Sequence, residues 1–304
     1  MEQTKPLTPL QCIDQMDALH KAYPETELYL IGKSVLEQRI YALEMGNPRA
    51  KVRVLVQAGM HGREWLNCSL LLGQMEDYLS KAEYAPLLKR ARLLFVPMCN
   101  PDGVRIAQEG AGWIDRVAQR EEVERLVRES GEGFSQWKAN GRGVDLNRNF
   151  NAYWDSQTDA KETAGPSAAF YRGEMPESEP ETRMLAELTE CFHPTLTLSY
   201  HSRGEYLYWY FFQTGKALER DRAMAEALAA HIGYACRTQP LPEVDSFAGY
   251  KDYCVEKLGI PAFTIETGAE DWEVPLEEAY LPRIALQCGD ATAFAALWQA
   301  EKDG

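Results

Sequence analysis

Apolar residues along the 304-residue chain fall into short, nearly continuous runs separated by longer stretches with helical spacing. "KVRVLVQAG" (51–59), "ARLLFVPMCN" (91–100), "TLTLSYH" (195–201) and "PAFTIETG" (261–268) are of strand length and carry few polar positions. That is the pattern of strands covered on both faces. "ELYLIGKSVLEQRIYALEMG" (27–46) predicts two strands around a turn, and "EYLYWYFF" (205–212) a further strand. Helical periodicity marks "REWLNCSLLLGQMEDYLSKAE" (63–83), "ESEPETRMLAELTECF" (177–192), "KALERDRAMAEALAAHIG" (216–233), "FAGYKDYCVEKLG" (247–259) and one C-terminal helix over 280–300. Strands alternating with helices of this length predict an α/β fold, a three-layer α/β/α sandwich with a mixed, largely parallel central sheet. With no linker or repeat, the whole of 1–304 reads as one domain. Residues 105–137 form its least core-like part, a charged helical insertion.

Sheets of this kind gather ligands at the carboxyl ends of their strands. His61, Asn100, His201 and Glu266 each end an apolar strand, and "NPDG" (100–103) reads as the turn closing one of them. His61 and Glu64 in "HGRE" could supply two metal ligands from one turn, and His201 a third, leaving a position open as in catalytic zinc sites. Glu266 is either a structurally paired carboxylate or a general base. Asn147 and Arg148, in "GVDLNRNF" (143–150), offer a fork suited to a carboxylate or a structural ion pair. The other histidines, His20, His193 and His231, read as structural or solvated.

Composition narrows the function. A formal net charge of −14 argues against a nucleic-acid or anionic-membrane surface, so any anionic substrate needs basic residues gathered locally. Seven scattered cysteines without a CxxC pair, and no apparent signal segment, lead to the expectation of a reducing cytoplasm.

Taken together, "HGRE", "NPDGV", "GVDLNRNF", "SYHS" and "FTIETG" resemble, in order and spacing, the zinc metallocarboxypeptidases of the carboxypeptidase A type, from about residue 28 to about 300. The resemblance implies one zinc per chain on His61, Glu64 and His201, with Glu266 as catalytic base. It implies Asn147 and Arg148 as the clamp on a substrate's terminal carboxylate, with Arg63 of "HGRE" counted among the substrate-binding residues. Two features depart from the digestive members. Lys138 follows Trp137 where they carry an arginine that polarises the scissile carbonyl, and a catalytic tyrosine is not assignable: Val244 stands in its place, with Tyr250 nearest.

"WKAN" before "GVDLN", and "GYKDY" before the last strand, are similar to a bacterial branch, the γ-D-glutamyl-meso-diaminopimelate peptidases of peptidoglycan stem peptides. Lys251 falls at the position that sets side-chain specificity in the family and would favour an acidic leaving residue. The expected substrate is a small peptide with a free carboxylate. A carboxypeptidase for ordinary C-terminal acidic residues and an N-acyl amino acid deacylase remain the alternatives.

Overall fold

The computed structural model describes residues 5–156, 161–236 and 247–302. Its strands are β1 (Glu27–Lys33), β2 (Arg39–Gly46), β3 (Val52–Gln57), β4 (Ala91–Val96), β5 (Leu196–Ser202), β6 (Tyr206–Tyr208), β7 (Ala235–Cys236) and β8 (Ala262–Thr267). They form one sheet in the order β1-β2-β4-β3-β5-β8-β6-β7. The centre, β4-β3-β5-β8, is parallel, while β1, β2 and β6 pair antiparallel with their neighbours. The helices are α1 (Pro9–Ala22), α2 (Leu66–Ser80), α3 (Ala85–Arg90), α4 (Pro101–Glu109), α5 (Val117–Ser130), α6 (Pro180–Phe192), α7 (Gly215–Ile232), α8 (Tyr250–Glu256), α9 (Leu281–Cys288) and α10 (Ala291–Lys302).

Alternation along the central strands explains the layering. Val54 and Val56 of β3, with Leu93 and Phe95 of β4, belong to one apolar core, which α2, α7, α9 and α10 close. Leu55, Leu94 and Val96, from the same strands, belong to a second core with Met184 and Leu185 of α6 and Tyr253 and Val255 of α8. Successive residues of a strand point to opposite faces, so two cores filled by one set of strands mean helices on both sides of the sheet.

The structure departs from the sequence reading where local chemistry overrules a run of apolar residues. "NPDG" is no turn: Asn100 caps α4, its Oδ1 accepting from Gly103 N at 2.8 Å, and Pro101 takes the first helical position. α1 was not predicted at all, although Thr8 and Gln11 form a capping box before it. The C-terminal helix is broken at Gly289–Asp290 into α9 and α10. Only Tyr206–Tyr208 of "EYLYWYFF" pairs as strand; beyond it Phe211 and Phe212 turn into an aromatic cluster with Tyr153 and Phe247. The insertion begins later than position 105, since α4 runs to Glu109, and its helix is α5.

The β1–β2 turn, α4 and the start of α6 are tied together by buried acids. Asp102 accepts from Ser34 Oγ and Leu36 N, and Glu181 from Val35 N; Asn140 Nδ2 donates to both Glu179 and Glu181. Burial and the neighbouring Asp102 charge push Glu181 up to about 8, and burial pushes Asp102 up to about 6. Both values lie above those of an unfolded chain, so the native state holds more protons. Their contribution to stability is present below about pH 4 and is lost as pH rises through 6 and then 8. Thermal unfolding between pH 5 and 9 is expected to give a melting temperature that falls with rising pH. Glu181→Gln, which mimics the protonated acid, should flatten that fall and raise the value at pH 8.5 by roughly 5 °C.

Candidate metal centre and active site

β3 ends one residue before Ala58, and the chain then turns through Gly59 at φ +63, a left-handed conformation costly for any other residue type. A Cβ on Gly62 would stand 2.3 Å from Gly103 O, so only glycine lets this backbone pass α4. Between these two glycines sits His61. The single 3₁₀ turn Gly62–Glu64 follows, and its three-residue period brings Glu64 back under His61. His61 Nδ1 lies 2.9 Å from Glu64 Oε1, and His201 Nδ1, from the end of β5, lies 3.1 Å from Glu64 Oε2. The two histidine Nδ1 atoms are 3.3 Å apart.

All three side chains are buried, and their ligand atoms lie within 4.8 Å of one another. Two imidazole nitrogens and a carboxylate converging in this way match the donor set and open geometry of catalytic zinc. The two imidazole nitrogens stand at a separation that a single four-coordinate ion can span. The second nitrogen of His61 is held by Asp145 Oδ1 at 3.1 Å, which fixes the ring and the tautomer that leaves Nδ1 free for a metal. Against the cost of burial, His61 and His201 keep Glu64 ionised well below the usual carboxylate range.

The other predicted residues gather round this centre. β8 runs parallel to β5 in a register that sets Glu266 beside His201. Burial pushes Glu266 up to about 7 and Glu64 adds to the rise, while His201, Lys138 and Arg63 oppose it. Lys138 is fixed through its backbone, its carbonyl accepting from Gly62 N at 3.1 Å, and its ammonium stands 5.3 Å from the Phe170 ring centre. Arg148 donates to Asp145 Oδ2 at 3.1 Å and lies over the other part of the same site, 4.8 Å from the Phe170 ring. Asn147 Oδ1 accepts from Tyr250 N at 3.1 Å, leaving its Nδ2 as the donor. Arg63 donates to Gln136 Oε1 at 2.9 Å and faces a cleft beside Lys138.

Lys251 is placed differently from a lone pocket cation. It pairs with Asp252, donates to Tyr210 O at 3.1 Å and lies 5.1 Å from the Phe211 ring, so its charge is met within the protein. Tyr250 is fully buried with its hydroxyl 2.8 Å from Thr189 Oγ1, which removes it as a substitute for a catalytic tyrosine; Val244 lies outside the described residues. The remaining histidines are structural: His20 meets Thr26, His193 forms the left-handed end of α6, and His231 pairs with Asp290 and stacks on Phe294.

Sequence reasoning missed two residues. Asp145 stood in view in "GVDLNRNF", and its spacing of two before Asn147, whose N–H it accepts at 3.2 Å, is a recognisable Asx turn. Phe170 gave no local signal. It adopts φ +70, its N–H is held by Asp145 Oδ2 at 3.2 Å, and its ring carries Lys138 and Arg148.

A sheet with two imidazoles and two carboxylates at the ends of three parallel strands, and cations alongside, defines a metal-dependent hydrolase. The comparisons agree. Residues 12–287 match the zinc carboxypeptidase family model, and the chain belongs to that family of metallopeptidases. It is similar, at 31% identity over 88% of its length, to gamma-D-glutamyl-L-diamino acid endopeptidase 1 of Lysinibacillus sphaericus, spanning 66% of that relative. In fold it is similar to bovine thrombin-activatable fibrinolysis inhibitor (TM-score 0.77, 22% identity, 99% of each chain). It is likewise similar to the murein-tripeptide amidase MpaA of Escherichia coli O157 (TM-score 0.55, 21% identity, 89% of this chain and 90% of that one).

Replacing Asp145 by Asn keeps the shape but loses the anion behind His61. Zinc affinity measured by chelator competition is expected to fall about 10- to 100-fold.

Proposed function

We propose that the chain hydrolyses the amide bond between a γ-D-glutamyl residue and a diamino acid, releasing a residue with a free carboxylate. The observation that carries the hydrolytic part is the convergence of His61, Glu64 and His201 with Glu266 on the neighbouring strand. The likeness to an endopeptidase named for that bond supports the substrate. In this reading His61, Glu64 and His201 would hold the zinc, and the chemistry it would supply is Lewis-acid polarisation of the scissile carbonyl and of water.

Glu266 takes the proton of the attacking water and passes it to the leaving amine. Burial and Glu64 raise the Glu266 carboxyl in the metal-free site, and a bound divalent cation would draw it back toward the ionised form that a base needs. Lys138 faces the oxygen on which negative charge develops, as a point charge rather than a fork. Arg148, held in place by Asp145, and the Nδ2 of Asn147 take the terminal carboxylate of the leaving residue. Lys251, its charge met by Asp252 and Tyr210 O, adds no free cation, and the choice of a diamino acid over a C-terminal Glu or Asp is supported by the likeness to the endopeptidase named for that bond. All seven cysteines are free, and this supports action in a reducing compartment, on wall fragments rather than intact wall.

Zinc-loaded protein is expected to release diaminopimelate from L-Ala-γ-D-Glu-meso-diaminopimelate, and a chelated control to release none. If α-linked dipeptides ending in Glu are cleaved and the tripeptide is not, the murein substrate is wrong and the carboxypeptidase chemistry stands. Glu266→Gln should retain zinc by metal analysis and lower kcat about 10²- to 10⁴-fold. Lys138→Ala should lower kcat about 10²-fold with zinc content unchanged.

A further inference from the structure

The Phe170 ring stands where two charged side chains of the site meet. Lys138 Nζ lies 5.3 Å from its centre and the Arg148 guanidinium 4.8 Å, with the exposed Lys161 approaching at 5.8 Å. Phe170 is only partly buried and lines the cleft beside Lys138, so it is not a core-filling residue. Its φ of +70 is a conformation costly for any residue but glycine. Hydrogen bonds on either side keep it there. Ala168 O accepts from Lys138 N and Ala139 N, at 2.9 and 3.0 Å, and Tyr171 O accepts from Asp145 N at 2.7 Å. Phe170 N itself donates to Asp145 Oδ2 at 3.2 Å. The ring is thus fixed by the backbone that runs beside 138–145, while the charges it meets sit on flexible stems.

Two cations close together repel, and each stem is free to swing unless something holds it. A carboxylate would hold them but consume their charge, as Glu122 and Glu129 do for Arg125. Arg148 leans on Asp145 through Nη1. The Lys138 ammonium, by contrast, makes no hydrogen bond or ion pair among the described residues, and its partner is the ring. The face of an aromatic ring attracts a cation through its quadrupole and offers no charge that competes with a substrate oxygen. The cation is placed and its charge left available.

We propose that Phe170 is a positioning residue whose ring face holds Lys138 for the developing oxyanion and Arg148 for the leaving residue's carboxylate. This rests on the function proposed above and adds to it the device that sets its two cations. Phe170 acts through those side chains, so the electron density of its ring matters as well as its shape. An aliphatic residue of similar bulk would fill the space without holding either charge.

The test replaces Phe170 by 3,4,5-trifluorophenylalanine, which keeps the shape and removes most of the negative charge of the ring face. Phe170→Leu and Phe170→Tyr accompany it, all zinc-loaded, with matched metal content and circular dichroism. On L-Ala-γ-D-Glu-meso-diaminopimelate, the trifluoro variant and Phe170→Leu should each lower kcat/KM about 5- to 30-fold, the worth of one desolvated cation–ring contact. The loss should divide between a lower kcat, through Lys138, and a higher KM, through Arg148. Phe170→Tyr keeps the ring face and should stay within about three-fold of wild type. A trifluoro variant as active as wild type makes the ring a spacer and overturns the proposal. A second arm needs no substrate. With carbon-13 methyl groups on the lysines, the Lys138 resonance, assigned by its loss in Lys138→Arg, should be shifted upfield by the ring in wild type. In Phe170→Leu it should return to the range of the other lysines. If wild type does not cleave the tripeptide, the murein function fails, and this arm decides alone. An upfield Lys138 resonance that relaxes in the trifluoro variant supports the proposal; one already in the common range in wild type overturns it.

Discussion

One buried carboxylate makes the metal side and the substrate side of this site a single object. Asp145 has no exposed surface, and its two oxygens accept from four donors: His61 Nε2, Asn147 N, Arg148 Nη1 and Phe170 N. An anion taken out of water costs several kcal/mol unless such partners replace its hydration. Burial would raise its pKa, yet His61, Arg148 and Lys138 outweigh that and keep the carboxyl well below its ordinary range. The consequence is geometric. The His61 imidazole of the candidate metal centre and the Arg148 guanidinium, proposed to meet a substrate carboxylate, are held against the same carboxylate, which couples their positions.

The opposite side of the centre is fixed by neutral polar groups. Asn67, at the start of α2, donates to Ser202 Oγ at 2.9 Å and accepts from Thr267 Oγ1 at 2.7 Å, and Thr267 also donates to His201 O. All three are buried, and each joins the end of one strand to that of another or to the helix behind it. A closed set of hydrogen bonds in a low-dielectric interior tolerates little displacement. It holds the ends of β5 and β8 in the register that sets Glu266 beside His201. Ser202 N donates to Glu64 Oε2 as well, so the same strand end positions both histidine and glutamate.

Legibility in the sequence followed the range of the interactions. The central strands were readable because burial on both faces forces an apolar run, and His61, Glu64, His201 and Glu266 were readable because polar residues ending such runs have no packing reason to be there. Contacts made between distant segments were not. Phe170 was invisible, since its role comes from a left-handed backbone and from Asp145, 25 residues away. Lys251 was seen as a position but not as an ion pair, because only α8 geometry brings its ammonium onto Asp252 and Tyr210 O. The N-terminal α1 shows little apolar periodicity, since it buries only Pro9, Cys12 and Met16, although its capping box is written in Thr8 and Gln11.

The remaining question is how a chain of net charge −14 can handle anionic peptides. Net charge governs approach from a distance, but screening limits that field to about 8–10 Å in physiological salt. Inside the cleft the local balance decides. Several surface cations are spent on neighbouring acids, as Lys21 on Asp17, Lys81 on Asp77, Arg105 on Glu109 and Arg125 on Glu122 and Glu129. Lys138 and Arg63 form no such ion pair, and both act on Glu266, whose carboxyl they help to hold down. Under the proposed function these two cations stand near the carboxyl that would take the water's proton, where a developing oxyanion would need them. The acidic exterior then acts against indiscriminate binding of other polyanions, while Lys138 and Arg63 offset the carboxylates of the site locally.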